Sequence, residues 1–165
     1  MKLLTPVLLA VLATLSSAAT ISPQLYIQSN SAQTTSTDLI QVCGDASDLL
    51  TVKDITLHPD PPLKGETLTI DFKGELKEEV PEGTTVLVQV KYGVVQLLKK
   101  TFDFCQEVKK VDEKCPIPAG DLVFTKQVDL PKEIPPGHYS VHAVVTTPDD
   151  TQVTCLDGKI NFPRK

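Results

Sequence analysis

The chain has 165 residues, room for one ordinary domain and too few for two. With 41% hydrophobic and 22% charged residues, its composition is that of a soluble globular protein and excludes a disordered chain or a membrane bundle. Lys and Arg number 16 against 21 Asp and Glu, a net charge of −5, which lacks the basic face that a nucleic-acid binder uses to displace counterions from phosphates.

Met1-Lys2 gives a positive start, Leu3 to Leu15 is almost wholly apolar, and Ser17-Ala18-Ala19 supplies small residues at a cleavage site. This three-part pattern predicts a secretory signal peptide over residues 1–19. The apolar run is shorter than the roughly 20 residues needed to cross a bilayer. No later stretch is longer or more apolar, so the mature chain is expected to be soluble and to enter an oxidising compartment. Loss of Lys2 leaves 15 basic against 21 acidic residues, or −6. Residues 20–37 contain no charge, many Ser and Thr, and no sustained apolar period. They read as a propeptide or a flexible tail, because such a segment buries too little surface to offset the entropy of ordering it.

The remainder, 38–165, reads as strands. Leu68, Ile70, Phe72 and Leu76 alternate with polar residues; so do Val86, Val88, Val90 and Tyr92. Leu122, Phe124, Val128 and Leu130 repeat the pattern with Lys126 as an interruption. Tyr139, Val141, Ala143 and Val145 make the longest such face, and Leu156, Ile160 and Phe162 close the chain. A period of two puts each set on one side of a strand. Between the runs stand His58-Pro59-Asp60-Pro61-Pro62, Pro81-Glu82-Gly83, Cys115-Pro116-Ile117-Pro118, Pro135-Pro136-Gly137 and Pro148-Asp149-Asp150, all turn or loop signals. No segment after residue 19 shows a 3.6-residue amphipathic period. The expectation is an all-β, immunoglobulin-like antiparallel sandwich of about seven strands. The absence of Trp argues against a true immunoglobulin domain, which packs one on its inter-sheet disulfide.

Four cysteines allow three pairings. Cys43 lies just before the first of these strands and Cys155 in the last, so a bridge between them would tie the ends of the domain. Such a bridge stabilises by about 4–5 kcal/mol in the chain-entropy model. Cys105 and Cys115 would then close a loop too polar to hold itself by packing. Pairing Cys43 with Cys105 and Cys115 with Cys155 is equally compatible with the spacing. The cysteines include no C-x-x-C pair, which sets a metal site aside. His138 and His142, four apart on a strand, are about 13 Å apart and read as outward polar positions. No nucleophile elbow, zinc-binding helix motif or phosphate loop occurs, so neither catalysis nor a cofactor is expected. The lysines at 99, 100, 109, 110 and 114 stand among Asp103, Glu107, Asp112 and Glu113 and read as a solvated loop.

The ordered set of features resembles the ML (lipid-recognition) domain family. Within it the likeness is to the Niemann–Pick type C-like carriers, most of all the fungal phosphatidylglycerol/phosphatidylinositol transfer proteins. The residues concerned are Cys43-Gly44 with Asp48-Leu49-Leu50, Pro62 through Leu68, and Tyr92-Gly93 before Phe102-Asp103-Phe104-Cys105. Cys115 through Gly120, Leu130-Pro131 through Tyr139, and Cys155 complete the set. The resemblance implies pairs Cys43–Cys155 and Cys105–Cys115, and a monomer that moves lipid between membranes without chemistry, in the secretory pathway, a vacuole-like compartment or outside the cell. Its partners would be phosphatidylinositol, phosphatidylglycerol or a sterol, with transient membrane contact and no nucleic acid. It lacks the extra short-range disulfide of the animal members, as the fungal branch does. Residues 20–37 resemble the propeptide of that branch.

Given a pocket between the sheets, apolar chains enter it and the headgroup stays in water. The inward sets nominate Phe72, Val88, Val90, Tyr92, Tyr139, Val141 and Val145 as lipid-binding. Leu98, Phe102 and Ile134 are placed by the resemblance near loops around the entrance. The alternative is a secreted sandwich that recognises a lipid or protein surface without internalising a ligand.

Overall fold

The computed structural model describes residues 35–164; the expected signal peptide and most of the 20–37 stretch lie outside them. Eight strands form two antiparallel sheets. They are β1 (Ile40–Val42), β2 (Leu50–His58), β3 (Thr67–Leu76), β4 (Thr85–Tyr92), β5 (Val95–Asp103), β6 (Gly120–Asp129), β7 (Gly137–Thr146) and β8 (Gln152–Phe162). One sheet runs β1-β8-β7-β4-β5 and the other β2-β3-β6. The sandwich expected from the alternation is present, with one more strand than the pattern showed. The extra one is β1, three residues long and therefore too short to display a period. Cys43 accordingly follows the first strand.

The inner faces are set by register. On the smaller sheet Ile55 pairs with Phe72 and Leu57 with Ile70. Phe124 lies opposite Phe72, their rings stacked at 4.9 Å between centroids. On the larger sheet Val86, Val88, Val90 and Tyr92 lie opposite Val145, Ala143, Val141 and Tyr139. A β-bulge aims one further residue inward: Val145 pairs with Thr154 and Thr146 with Gln152, leaving Val153 unpaired and turned into the core.

The Cys105–Cys115 segment corrects the expectation of a polar loop without helix. Helix α1 (Phe104–Val108) is followed by one 3-10 turn, Lys109–Val111. The Asp103 carboxylate caps it by accepting from the Gln106 N–H at 3.0 Å. Cys105 and Val108 are buried, and Val111 packs partly against the core. A helix of five residues is shorter than two turns, so no period reveals it. Among the described residues no helix is long and apolar enough to cross a membrane.

The two long edges of the sandwich differ. On the β1/β2 side the sheets are joined along their length. Ser36 N–H donates to Ile55 O at 3.1 Å and its hydroxyl bonds the Asp54 carboxylate. Leu49 N–H donates to Gln152 O at 3.1 Å, and the Gln152 amide donates to the buried Asp48 carboxylate at 2.9 Å. At the same edge, Cys43, directly after β1, is bridged to Cys155 of β8 within the larger sheet, closing a separation of 112 residues. Gly44 is required beside them, since an added Cβ would stand 1.7 Å from an Asp48 carboxylate oxygen. On the β5/β6 side the join is at one end only. There α1, the Cys105–Cys115 disulfide and a two-bond bridge between Val80 and Ile117 (2.8 and 2.9 Å) form a plug.

Candidate functional site

The plug divides the space between the sheets into two halves of different character. At the plugged end Val80, Val108, Ile117, Leu50, Leu76, Leu122 and Val145 form one buried cluster. Towards the other end the inner faces are still apolar but no longer covered. Val88, Val90 and Val141 are only half-buried although β4 and β7 are central strands with neighbours on both sides. Their exposure therefore belongs to the face of the sheet. Leu98 on β5 is 39% exposed and Val128 on β6 is 38% exposed, both on inner faces at the unjoined edge.

The far end is ringed by aromatic residues. Tyr92 and Tyr139 lie 5.1 Å apart between ring centroids, and Tyr139 meets Phe162 edge-on at 5.6 Å. Tyr92 OH donates to Pro136 O at 2.9 Å and Tyr139 OH to Pro135 O at 3.1 Å, which holds the 133–136 turn in place. Gly137 sits under the Tyr92 ring at φ 142°; an added Cβ would fall 2.6 Å from the ring and in a left-handed conformation. Loss of water around the Tyr139 phenol raises its pKa, and Tyr92 adds to the shift. Beside this ring a pocket of about 260 Å³ is lined by Pro62, Leu63, Lys64, Glu66, Phe162 and Pro163.

The expected site residues thus fall into two groups. Val88, Val90, Tyr92, Leu98, Tyr139 and Val141 share the uncovered half, with Ile134 on the turn that the tyrosine hydroxyls hold. Phe72 (5% exposed) and Val145 (7%) belong to the packed core instead. Phe102 lies opposite Val86, which packs on that core. Leu98 and Phe102 both lie within β5, Phe102 one residue before its end. Alternation sorts inward from outward but does not sort depth along the strand.

The tip of the β4–β5 hairpin is unusually apolar. Val94 is 97% exposed, Val95 57% and Leu97 56%, with Lys91, Lys99 and Lys100 nearby on the same two strands. These residues lie at the uncovered end and extend it outward.

The outer face of the larger sheet contains a polar groove between β4, β7 and β8. His142 Nδ1 lies 2.6 Å from the Asp157 carboxylate, and Ser140 is two residues away on the same strand face. The set is that of a nucleophile triad, which the sequence reading missed because Asp157 is distant in the chain. Among the described residues no hydrogen bond links Ser140 to His142; the contact His142 makes is with Asp157. Cys43, Cys155 and His142 cluster within 4.8 Å, but both sulfurs are held in the disulfide and are not thiolates.

Residues 38–162 match the family description "ML domain". The chain belongs to the ML domain family. Its relatives include a phosphatidylglycerol/phosphatidylinositol transfer protein of Aspergillus fumigatus, 50% identical over 70% of this chain and 67% of the relative. Proteins of the same description in Aspergillus oryzae (43% identical, 82% and 78% covered) and Neurospora crassa (48%, 72% and 67%) also match. A Niemann-Pick type C2 protein from the Japanese carpenter ant shares the fold at a TM-score of 0.54 and 16% identity, over 75% of this chain and 98% of that one. In this ML domain the uncovered half of the sandwich is therefore the site to explain.

Proposed function

We propose that this ML domain binds a phospholipid of the phosphatidylinositol or phosphatidylglycerol type, or a sterol, between its sheets and moves it between membranes. The observation that supports this most is the partial burial of Val88, Val90 and Val141 on central strands, facing the gap. Apolar side chains left open to water there are stabilised when a lipid covers them, by about 25 cal/mol per Å². Each methylene of the cargo adds about 0.8 kcal/mol. Val88, Val90, Tyr92, Leu98, Tyr139 and Val141 line this path, with Ile134 beside its mouth.

Transfer then needs docking, exchange and release, and no bond is made or broken. The exposed Val94, Val95 and Leu97 insert at a membrane surface while neighbouring Lys91 meets anionic headgroups. The overall negative charge keeps that contact transient. The protein acts as a monomer after loss of residues 1–19, and the end of the 20–37 stretch stays as a tail whose Ser36 bonds Ile55 and Asp54. It works in the secretory pathway, a vacuole-like compartment or outside the cell, where disulfides persist. Fluorescent phosphatidylinositol or phosphatidylglycerol in donor vesicles is transferred to acceptors at a rate proportional to protein. Failure of the disulfide-intact protein to extract either phospholipid or a sterol overturns the reading.

A further inference from the structure

Lys126, an interruption in the alternation of β6, points between the sheets. It lies opposite Ile70 in an unbroken register, between inward Phe124 and Val128, and is half-buried while Thr125 and Gln127 are exposed. The larger sheet has a counterpart. Lys100 lies opposite inward Val88 on β5, and its ammonium stands 5.0 Å over the ring of inward Phe102. Both lysines are on the edge strands that border the unjoined seam. The remaining inward positions of β3 to β6 near them are apolar: Leu68, Ile70, Phe72, Phe124, Val86, Val88, Val90 and Leu98. Among the described residues neither lysine has a carboxylate within ion-pair distance; the lysine–carboxylate pairs there involve Lys53 and Lys110.

Lys100 is exposed and Lys126 half-buried, so both ammonium groups are reachable from water, and an anion held by both gains two charge-assisted hydrogen bonds. Lysine stems lie along apolar surface and deliver the ammonium to its border. Stacked sheets are about 10 Å apart, a span that two lysine side chains bridge through one shared phosphate. From these features we infer that Lys100 and Lys126 form a clamp for the phosphodiester of a bound phospholipid. The headgroup then leaves through the β5/β6 seam, and the tails lie along Val88, Val90 and Val141. This inference rests on the lipid-binding reading above and adds the headgroup contact to it. It also gives the site a preference: a phospholipid over a lipid with the same tails and no phosphate.

Inward charges on edge strands also discourage edge-to-edge pairing of sheets, a role that leaves ligand preference untouched. The test uses the disulfide-intact protein and lipids soluble without a bilayer, so that membrane attraction plays no part. Dihexanoyl-phosphatidylglycerol, dihexanoylglycerol and inorganic phosphate alone are titrated against wild type, K100Q/K126Q, K100R/K126R and the outward control K99Q. In wild type the phospholipid binds more tightly than the diacylglycerol. In K100Q/K126Q its affinity falls by about ten- to a hundredfold, dihexanoylglycerol affinity is unchanged, and the arginine pair and K99Q keep the wild-type preference. The same preference in K100Q/K126Q as in wild type, with an unchanged melting temperature, overturns the clamp. Saturable binding of inorganic phosphate as tight as that of the phospholipid overturns the headgroup assignment in favour of a free anion site. If wild type binds neither lipid, the lipid-binding reading itself fails.

Discussion

The two long edges of this sandwich are built from the same kind of strand and behave as opposites. Along β1 and β2 the sheets are bonded at Ser36–Ile55, Asp48–Gln152 and Leu49–Gln152, and Cys43–Cys155 pins β1 to β8 within the larger sheet. Along β5 and β6, among the described residues, the sheets meet at the plug of α1 and Cys105–Cys115. Rigidity on one side and freedom on the other is the arrangement of a clamp. A sandwich joined along both edges has a core and no site.

Removing the bridge that pins the edge strand β1 to β8 has the largest expected effect. C43A/C155A releases a loop of 112 residues and should cost about 2–5 kcal/mol, read as a large fall in the urea midpoint. C105A/C115A frees only 10 residues of separation and should cost less, while raising lipid exchange through a looser plug. Equal losses from the two would show that the length of the closed loop does not set their contributions.

One substitution placed at two depths on β7 sharpens the comparison. Val145→Phe overfills a packed cluster and should cost about 1–3 kcal/mol. Val141→Phe, four residues away on the same face, enters the uncovered half and should leave the melting temperature nearly unchanged while blocking phospholipid uptake. A similar destabilisation at both sites would mean that the gap is packed throughout. Gly137→Ala belongs to the same series: its Cβ displaces the Tyr92 ring, and the expected effect is on transfer rate more than on stability.

The smallest effect is electrostatic. The Ser36 hydroxyl, against the opposing loss of water and with lesser help from the Thr56 hydroxyl, the Ser36 N–H and Lys73, holds the Asp54 carboxyl below its ordinary pKa. The folded state therefore binds this proton less readily than the unfolded state. The contribution is complete above about pH 4, the unfolded value, and fades as pH falls through the lower folded one. Urea midpoints between pH 3 and 6 should show a decline at the acid end that Asp54→Asn makes shallower. An unchanged acid limb in that variant would remove Asp54 from the stitched edge.

The strands were legible in the sequence because period two is a local signal, and the two-sheet architecture followed from it. The uncovered half was not legible. Val86, Val88 and Val90 read alike, yet Val86 packs on the core while Val90 stays half-open. Depth is decided by Val80, Val108 and Ile117, which are far away in sequence and close one end of the gap. The helix was hidden by its length and the Ser140–His142–Asp157 grouping by chain separation. Lys126 was visible as a break in the pattern, but only the unbroken β3–β6 register shows that it faces inward.

The plug has one more consequence. It lies at a fixed depth, level with Val145, and the tyrosine ring at Tyr139 marks the other limit six residues along β7. At about 3.3 Å per residue that is a run of roughly 20 Å. If the gap holds a lipid as proposed, its tail meets this floor, and chain length sets how much of it is covered. Chains that reach the floor are covered whole, and longer ones leave their last methylenes in water.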